Sequence, residues 1–275
     1  MMKIFVSDLD GTLIDQSLQN NDAVKACVQQ ILHSKNELVI ATGRSLHGIK
    51  VLNFYDAPIY FIIMNGAILL DRNKAVLYKK AIDEQMVRAA YRRYPNDNIE
   101  YITQNKTFMA ISKEAYLMNY GQWNVWQKKM SGNDEQFQFM LSHYVFDADI
   151  SQIKDQVVKI NILEMDAKKY KEKEAFFKSF DEVVNNPFDT HVLELTAAGV
   201  TKQSAMDKLL QLTGWHKDNI YVFGDGDNDA MLLAAYDHSY AVDNASEKAK
   251  NSAKYIIGSC KDNAVINQIA QIMTL

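Results

Sequence analysis

Two acidic clusters hold the residues best suited to chemistry in this 275-residue sequence. Asp8 and Asp10 stand one residue apart and are followed at once by Gly11 and Thr12. Far down the chain, Gly224-Asp225-Gly226-Asp227-Asn228-Asp229 holds three more carboxylates in five residues. Side chains two apart at a strand end leave on roughly the same side, and close carboxylates repel unless a cation or a shared proton relieves them. Mg²⁺ suits such a pair, because it favours oxygen ligands and takes only one or two carboxylates from a protein. One Asp could then bind metal and attack phosphorus while the other handles a proton. Between the clusters lie Thr42-Gly43-Arg44-Ser45, Asn65-Gly66-Ala67 and Lys202. A hydroxyl, backbone N–H groups and compact cations are what a phosphoryl group needs, since its transfer is mostly positioning and electrostatics.

The elements predicted around these residues place them at one edge. Ile4 to Ser7, Glu37 to Ala41 and Tyr60 to Met64 read as short buried strands, each ending at one of the polar stretches. Asn21 to Ser34 carries a helical apolar stripe, with Asn20 or Asn21 as its cap, and Ser45 to Asn53 reads as a second helix whose N-terminus could receive an anion. Strand, helix, strand, helix, strand predicts a parallel sheet, and ligands on such sheets bind beyond the carboxyl ends of the strands. Asp8, Asp10, Thr42, Arg44 and Asn65 all fall there. Ala67 to Leu70 and Val76 to Lys79 read as a hairpin.

From about residue 81 the short βα rhythm stops. Helices over Glu84 to Tyr94, Lys113 to Lys129 and Asp166 to Phe177 alternate with strands at Ile99 to Ser112, Lys159 to Leu163 and Val183 to Asn185. This is read as an inserted α/β domain over 81–188, with a last strand, His191 to Leu195, assigned to the resuming core. Leu117, Tyr120, Trp123 and Trp126 fit a helical packing stripe. After Gly199, a helix over Lys202 to Leu212 closes at Gly214, strand Ile220 to Phe223 runs into the second acidic cluster, and alternation continues to the C-terminus. The fold class is therefore α/β, a Rossmann-like parallel-sheet core of 1–80 and 189–275 interrupted by residues 81–188.

Composition excludes several alternatives. Thirty basic against 34 acidic residues give a net charge of −4, which argues against a nucleic-acid binder. No apolar run approaches the roughly 20 residues that span a membrane, and the first strand starts too early to leave room for a signal peptide. Cys27 and Cys260 make no metal-ligand spacing and suit a reducing compartment. A soluble cytoplasmic protein is the expectation. The acidic loop at Asp225 is no EF-hand, because its sixth and twelfth positions hold Ala230 and Tyr236. There is no P-loop, no Gly-x-Ser-x-Gly elbow and no His-Glu-x-x-His pair.

Asp8-Leu9-Asp10-Gly11-Thr12-Leu13, Thr42-Gly43-Arg44, Lys202 and Gly224 to Asp229 together resemble the four motifs of the haloacid dehalogenase superfamily of phosphatases. Their order and spacing, with Asn65-Gly66-Ala67 and Asn244-Ala245-Ser246-Glu247, resemble the Cof-type subfamily, whose α/β cap lies between the second and third motifs. The resemblance implies an Asp8 nucleophile that forms an aspartyl-phosphate and an Asp10 general acid and base. It implies Mg²⁺ held by Asp8, the Asp10 carbonyl, Asp225 and Asp229. It also implies phosphate or substrate contacts from Thr42, Gly43, Arg44, Asn65, Lys202 and Asn228. A small phosphate ester, with sugar phosphates leading, is the implied substrate, and the cap would choose the leaving group. A mutase on the same core and a metabolite-binding regulator are the alternatives. Glu194 to Gln203 carries no Pro before the motif lysine and Gln203 rather than Gly after it, and Asp243 replaces a common Gly. These differences bear on loop geometry, not on any catalytic group.

Overall fold

The computed structural model describes residues 2–15, 22–122, 134–187 and 191–274. The chain divides into two compact units. One comprises Met1–Arg44, Ile49–Tyr78 and Thr201–Leu275, and the other Ser45–Gly48 and Lys79–Val200.

The first unit is built on an eight-stranded sheet. Its strands are β1 (Ile4–Ser7), β2 (Glu37–Ala41), β3 (Tyr60–Ile63), β4 (Ile68–Leu70) and β5 (Val76–Lys79), and later β12 (Ile220–Gly224), β13 (His238–Val242) and β14 (Tyr255–Ile257). Their order is β14-β13-β12-β1-β2-β3-β4-β5. The pairs from β14 through β3 are parallel, and β4 runs antiparallel to β3. Parallel strands are covered on both faces, so they are apolar throughout. Ile4, Phe5, Val6, Leu38, Val39, Ile40, Val222 and Phe223 are all buried. Helix Asp22–His33 turns Val24, Cys27, Val28 and Ile31 inward, as its periodicity requires. The chain leaves β1 toward one edge of the sheet and returns to β12 on its other side. The carboxyl ends of β1 and β12 are thus a topological switch point, where such sheets open a crevice. Ser7 lies in register with Phe223, which sets Asp8 beside Gly224.

The second unit has a six-stranded sheet ordered β10-β11-β9-β6-β7-β8. These strands are β6 (Ile99–Ile102), β7 (Thr107–Phe108), β8 (Tyr144–Val145), β9 (Lys159–Leu163), β10 (Val183–Asn185) and β11 (Val192–Ala197). Helices Glu84–Arg93 and Ala167–Lys178 are capped by Asp83 and Asp166, each of which accepts two backbone N–H groups. They meet where Tyr94 packs edge-on against Phe176. Lys159 and Glu194 form a buried ion pair between adjacent strands.

Several expectations change. The strand expected at His191 to Leu195 in the core is Val192–Ala197, which pairs with β9 and β10 and belongs to the second unit. An apolar strand carries no mark of which sheet it will join. The helix expected over Ser45 to Asn53 is the single turn Leu46–Lys50, followed by turns. Gly48 inside it lowers helix propensity, and one turn makes no anion-binding terminus. In helix Lys113–Gln122 Leu117 is exposed, and Tyr116 is buried. Trp123, Trp126, the Tyr120 side chain and the Asn20 or Asn21 cap lie outside the described residues. Helix Asp134–Leu141 and strand β8 were not anticipated. Among the described residues, no helix is long and apolar enough to cross a membrane.

Candidate active site

Asp8 leaves β1 with its backbone N–H donating to the Phe223 carbonyl at 2.9 Å, so the end of the neighbouring strand fixes its position. The chain then turns tightly, with the Leu13 and Ile14 N–H groups donating back to the Leu9 carbonyl. Gly11 sits at φ +85°, and a Cβ there would lie 2.5 Å from Asp225 Oδ2. Only glycine allows the first acidic loop to approach the second so closely. Thr12 Oγ1 donates to Asp225 Oδ1 at 2.6 Å, and Asn244 Nδ2 donates to the Gly11 carbonyl at 2.8 Å. Asn244 Oδ1 in turn accepts the Cys260 N–H at 2.9 Å, anchoring the first loop to a third.

The second loop follows β12. Asp229 Oδ2 accepts the N–H groups of Asp225 at 3.1 Å and Gly226 at 2.9 Å, which curls the loop around its own carboxylate. A Cβ at Gly224 would lie 2.7 Å from Asp229 Cβ, so this residue too must be small. Asp227 points away from the cluster and accepts the Ser246 hydroxyl at 2.6 Å.

Lys202 is the first residue of helix Lys202–Thr213. A reciprocal capping box between Thr201 and Ser204 starts the helix and so sets where the lysine emerges. The lysine is 1% exposed. Its Nζ donates to Asp8 Oδ1 at 2.6 Å and to Asp229 Oδ1 at 2.7 Å. Burial opposes its charge, but the Asp229 and Asp8 carboxylates outweigh that and hold the ammonium above its usual range. Burial, aided by Asp229 and Asp225 and opposed by Lys202, pushes the Asp8 carboxyl well up. Burial and the charge of Asp229 push Asp225 up to about 6.

Carboxylate oxygens of Asp8, Asp225 and Asp229 all lie within 4.8 Å of one another. Three hard oxygen donors with only one lysine among them are over-supplied with negative charge, and burial, reinforced by the neighbouring carboxylates, raises Asp8 and Asp225. The residues therefore fit a hard divalent cation such as Mg²⁺. The Asp10 side chain is not part of this trio. Arg44 holds it from two sides, Nε donating to Oδ2 at 2.8 Å and Nη2 to Oδ1 at 2.6 Å. Such a fork fixes a carboxylate in both position and plane. With both carboxylate oxygens engaged by Arg44, the backbone carbonyl is the Asp10 group that would serve a cation in the trio.

Thr42 is buried at the end of β2, and its hydroxyl accepts the Arg44 N–H at 3.1 Å. Asn65 is also buried, and its Oδ1 accepts Asn228 Nδ2 at 3.1 Å. The first unit thus brings together every site residue singled out from sequence. Thr12 and Asn244, to which the motifs assign no role, both brace the acidic loops. A small hydroxyl right after Asp-x-Asp-Gly was the available signal for Thr12.

Residues 5–269 match a family model described as haloacid dehalogenase-like hydrolase. A 5-amino-6-(5-phospho-D-ribitylamino)uracil phosphatase of Bacillus subtilis, YwtE, is 24% identical to this chain, covering 99% of it and 99% of its own length. A haloacid dehalogenase-like hydrolase from B. subtilis superposes with a TM-score of 0.82 at 17% identity, covering 98% of this chain and 100% of its own. The subclass IIB sugar phosphatase BT4131 superposes with a TM-score of 0.73 at 18% identity, covering 100% of both chains.

Proposed function

The chain belongs to the haloacid dehalogenase-like hydrolases, and on that premise we propose that it is a divalent-cation-dependent phosphatase of sugar or polyol phosphates that works through an aspartyl-phosphate at Asp8. The observation that carries this reading is the buried Asp8 carboxylate at the switch point of the sheet, held by Lys202 beside two further carboxylates.

Lys202 engages Asp8 through Oδ1, and Oδ2 is assigned as the attacking oxygen. Attack on phosphorus forms the Asp8 Oδ2–P bond and breaks the bond from phosphorus to the ester oxygen. The departing alkoxide takes a proton from Asp10. Asp10, now a carboxylate, takes a proton from water as that water attacks phosphorus. The Asp8–phosphorus bond breaks, and inorganic phosphate and free Asp8 result. Lys202 and the Thr42 hydroxyl hold phosphoryl oxygens through the sequence, and Arg44 keeps Asp10 oriented. Asp8, Asp225, Asp229 and the Asp10 carbonyl would hold Mg²⁺, whose charge offsets the repulsion between an anionic nucleophile and an anionic phosphate.

Two relatives support the substrate class, one named for a phosphorylated ribityl chain and one for a sugar phosphate. Both carry phosphate on a hydroxylated carbon chain. The second unit is assigned as the cap that discriminates leaving groups. The test is phosphate release from a panel of sugar, polyol, nucleotide and aryl phosphates, with Mg²⁺ and with chelator. Metal-dependent release favouring the first two groups supports the reading. Isomerised sugar phosphate with no free phosphate would replace it with a mutase.

A further inference from the structure

Met64, Asn65 and Gly66 have φ of +52°, +56° and +107°, the only run of three consecutive positive values among the described residues. Two of the three are not glycine. Such backbone strain persists only where surrounding structure over-determines it, and it gathers at functional sites. Here two backbone N–H groups and the Asn65 amide oxygen are held by other loops of the site. The Met64 N–H donates to the Arg44 carbonyl at 3.0 Å, and the Asn65 N–H to the Thr42 carbonyl at 3.1 Å. The turn therefore grips the Thr42–Arg44 loop on both sides of Gly43. A Cβ at Gly43 would sit 3.0 Å from Asn65 Oδ1, so glycine there lets the loop close onto the amide. A Cβ at Gly66 would sit 2.2 Å from the Thr201 carbonyl, so the same turn seats against the residue before Lys202. Finally, Asn65 Oδ1 accepts Asn228 Nδ2 from the second acidic loop.

We infer that Asn65 is a positioning residue: its buried carboxamide, carried on this left-handed turn, sets the orientation of Asn228 and the Thr42–Arg44 loop, and through them the binding of the phosphoryl group. Rather than binding phosphate directly, as the sequence resemblance implied, Asn65 acts through Asn228. A carboxamide is planar, so a bond that fixes one N–H of Asn228 also fixes the direction of the other. The inference rests on the phosphatase reading for its meaning, but its test reads binding and needs no turnover.

The experiment is a double-mutant cycle on the affinity of the Mg²⁺-loaded full chain for inorganic phosphate, measured by titration calorimetry. Asn65→Gly removes the amide and tolerates the positive φ. Asn65→Gly and Asn228→Ala are each expected to weaken phosphate about tenfold, the worth of one hydrogen bond to a charged group. The double variant is expected to be no weaker than about tenfold, because both changes delete one coupled unit. Mg²⁺ affinity should stay at the wild-type value in Asn65→Gly, which separates positioning from general disruption. Asn65→Asp keeps an acceptor for Asn228 Nδ2, so in that background Asn228→Ala should still cost its tenfold. It also supplies the test if Asn65→Gly does not fold. Independent, multiplying effects, or wild-type phosphate affinity in Asn65→Gly, overturn the inference. Phosphate binding with non-additive variants but no ester hydrolysis would sink the phosphatase reading and leave this one standing. A wild-type protein that binds no phosphate overturns both.

Discussion

Asp225→Asn should stabilise the cation-free protein and abolish its response to divalent cations. Asp225 shares its trio with Asp8 and Asp229, and burial with the charge of Asp229 lifts its carboxyl from 3.8 to about 6. The folded protein therefore binds this proton more tightly than the unfolded chain does. Stability from this group is complete below about pH 4 and is lost as the pH rises through about 6. A rise of roughly two pH units at 1.36 kcal/mol each amounts to about 3 kcal/mol lost above that range. Asp8, raised by the same burial, adds in the same sense. Asparagine cannot ionise and still offers an oxygen to the Thr12 hydroxyl. In chelator at about pH 7.5 the variant should melt roughly 6–12 °C above wild type, at about 2–4 °C per kcal/mol for a chain of this size. The gap should close by about pH 4. Saturating Mg²⁺ should raise the wild type by about 3 kcal/mol at a hundredfold excess over its dissociation constant and leave the variant nearly unmoved. Scanning calorimetry across pH, with chelator and with Mg²⁺, reads all of this. A variant that melts at or below wild type in chelator near neutral pH would refute the account of a cluster strained by its own charge.

Asp10→Asn removes the proton donor but keeps the shape, so kcat should fall about 10²–10⁴-fold while inorganic phosphate still binds, as steady-state kinetics with product inhibition will show. Gly66→Ala places a methyl 2.2 Å from the Thr201 carbonyl at φ +107°. It should destabilise by at least the ~1–3 kcal/mol of backbone strain and displace Lys202, lowering both the melting temperature and phosphate affinity. In the second unit, Lys159→Met leaves Glu194 buried without its cation and should cost about 3–5 kcal/mol in urea melts. Adding Glu194→Leu should recover most of that loss.

The candidate site was legible because its residue types lie at strand ends. Buried apolar runs ending in Asp8, Thr42, Asn65 and Gly224 specify both the sheet and the edge where its ligands bind. Patterning could not reveal partner choice between like strands. Val192–Ala197 is apolar enough for either sheet, and only its antiparallel pairing with Lys159–Leu163 assigns it to the second unit. The helix expected over Ser45 to Asn53 is only the turn Leu46–Lys50, because Gly48 and the turns that follow end it early. The Asn-Gly pair after β3 signalled a turn, but not that Met64 would join it in the left-handed region. Nor could spacing show that Arg44 closes on Asp10, since that contact joins two loops set by different strands.

The most direct test of the account is to look for phosphate on Asp8 itself. Wild type and Asp8→Asn, with Mg²⁺, would be mixed with a turned-over ester, quenched in acid within a single turnover and reduced with borohydride, then mapped by mass spectrometry. Reduction of an acyl phosphate converts the aspartate to homoserine. The account expects homoserine at position 8 in wild type, none in chelator, and neither label nor turnover in Asp8→Asn. Turnover with no label at Asp8, or hydrolysis that survives Asp8→Asn, would contradict it.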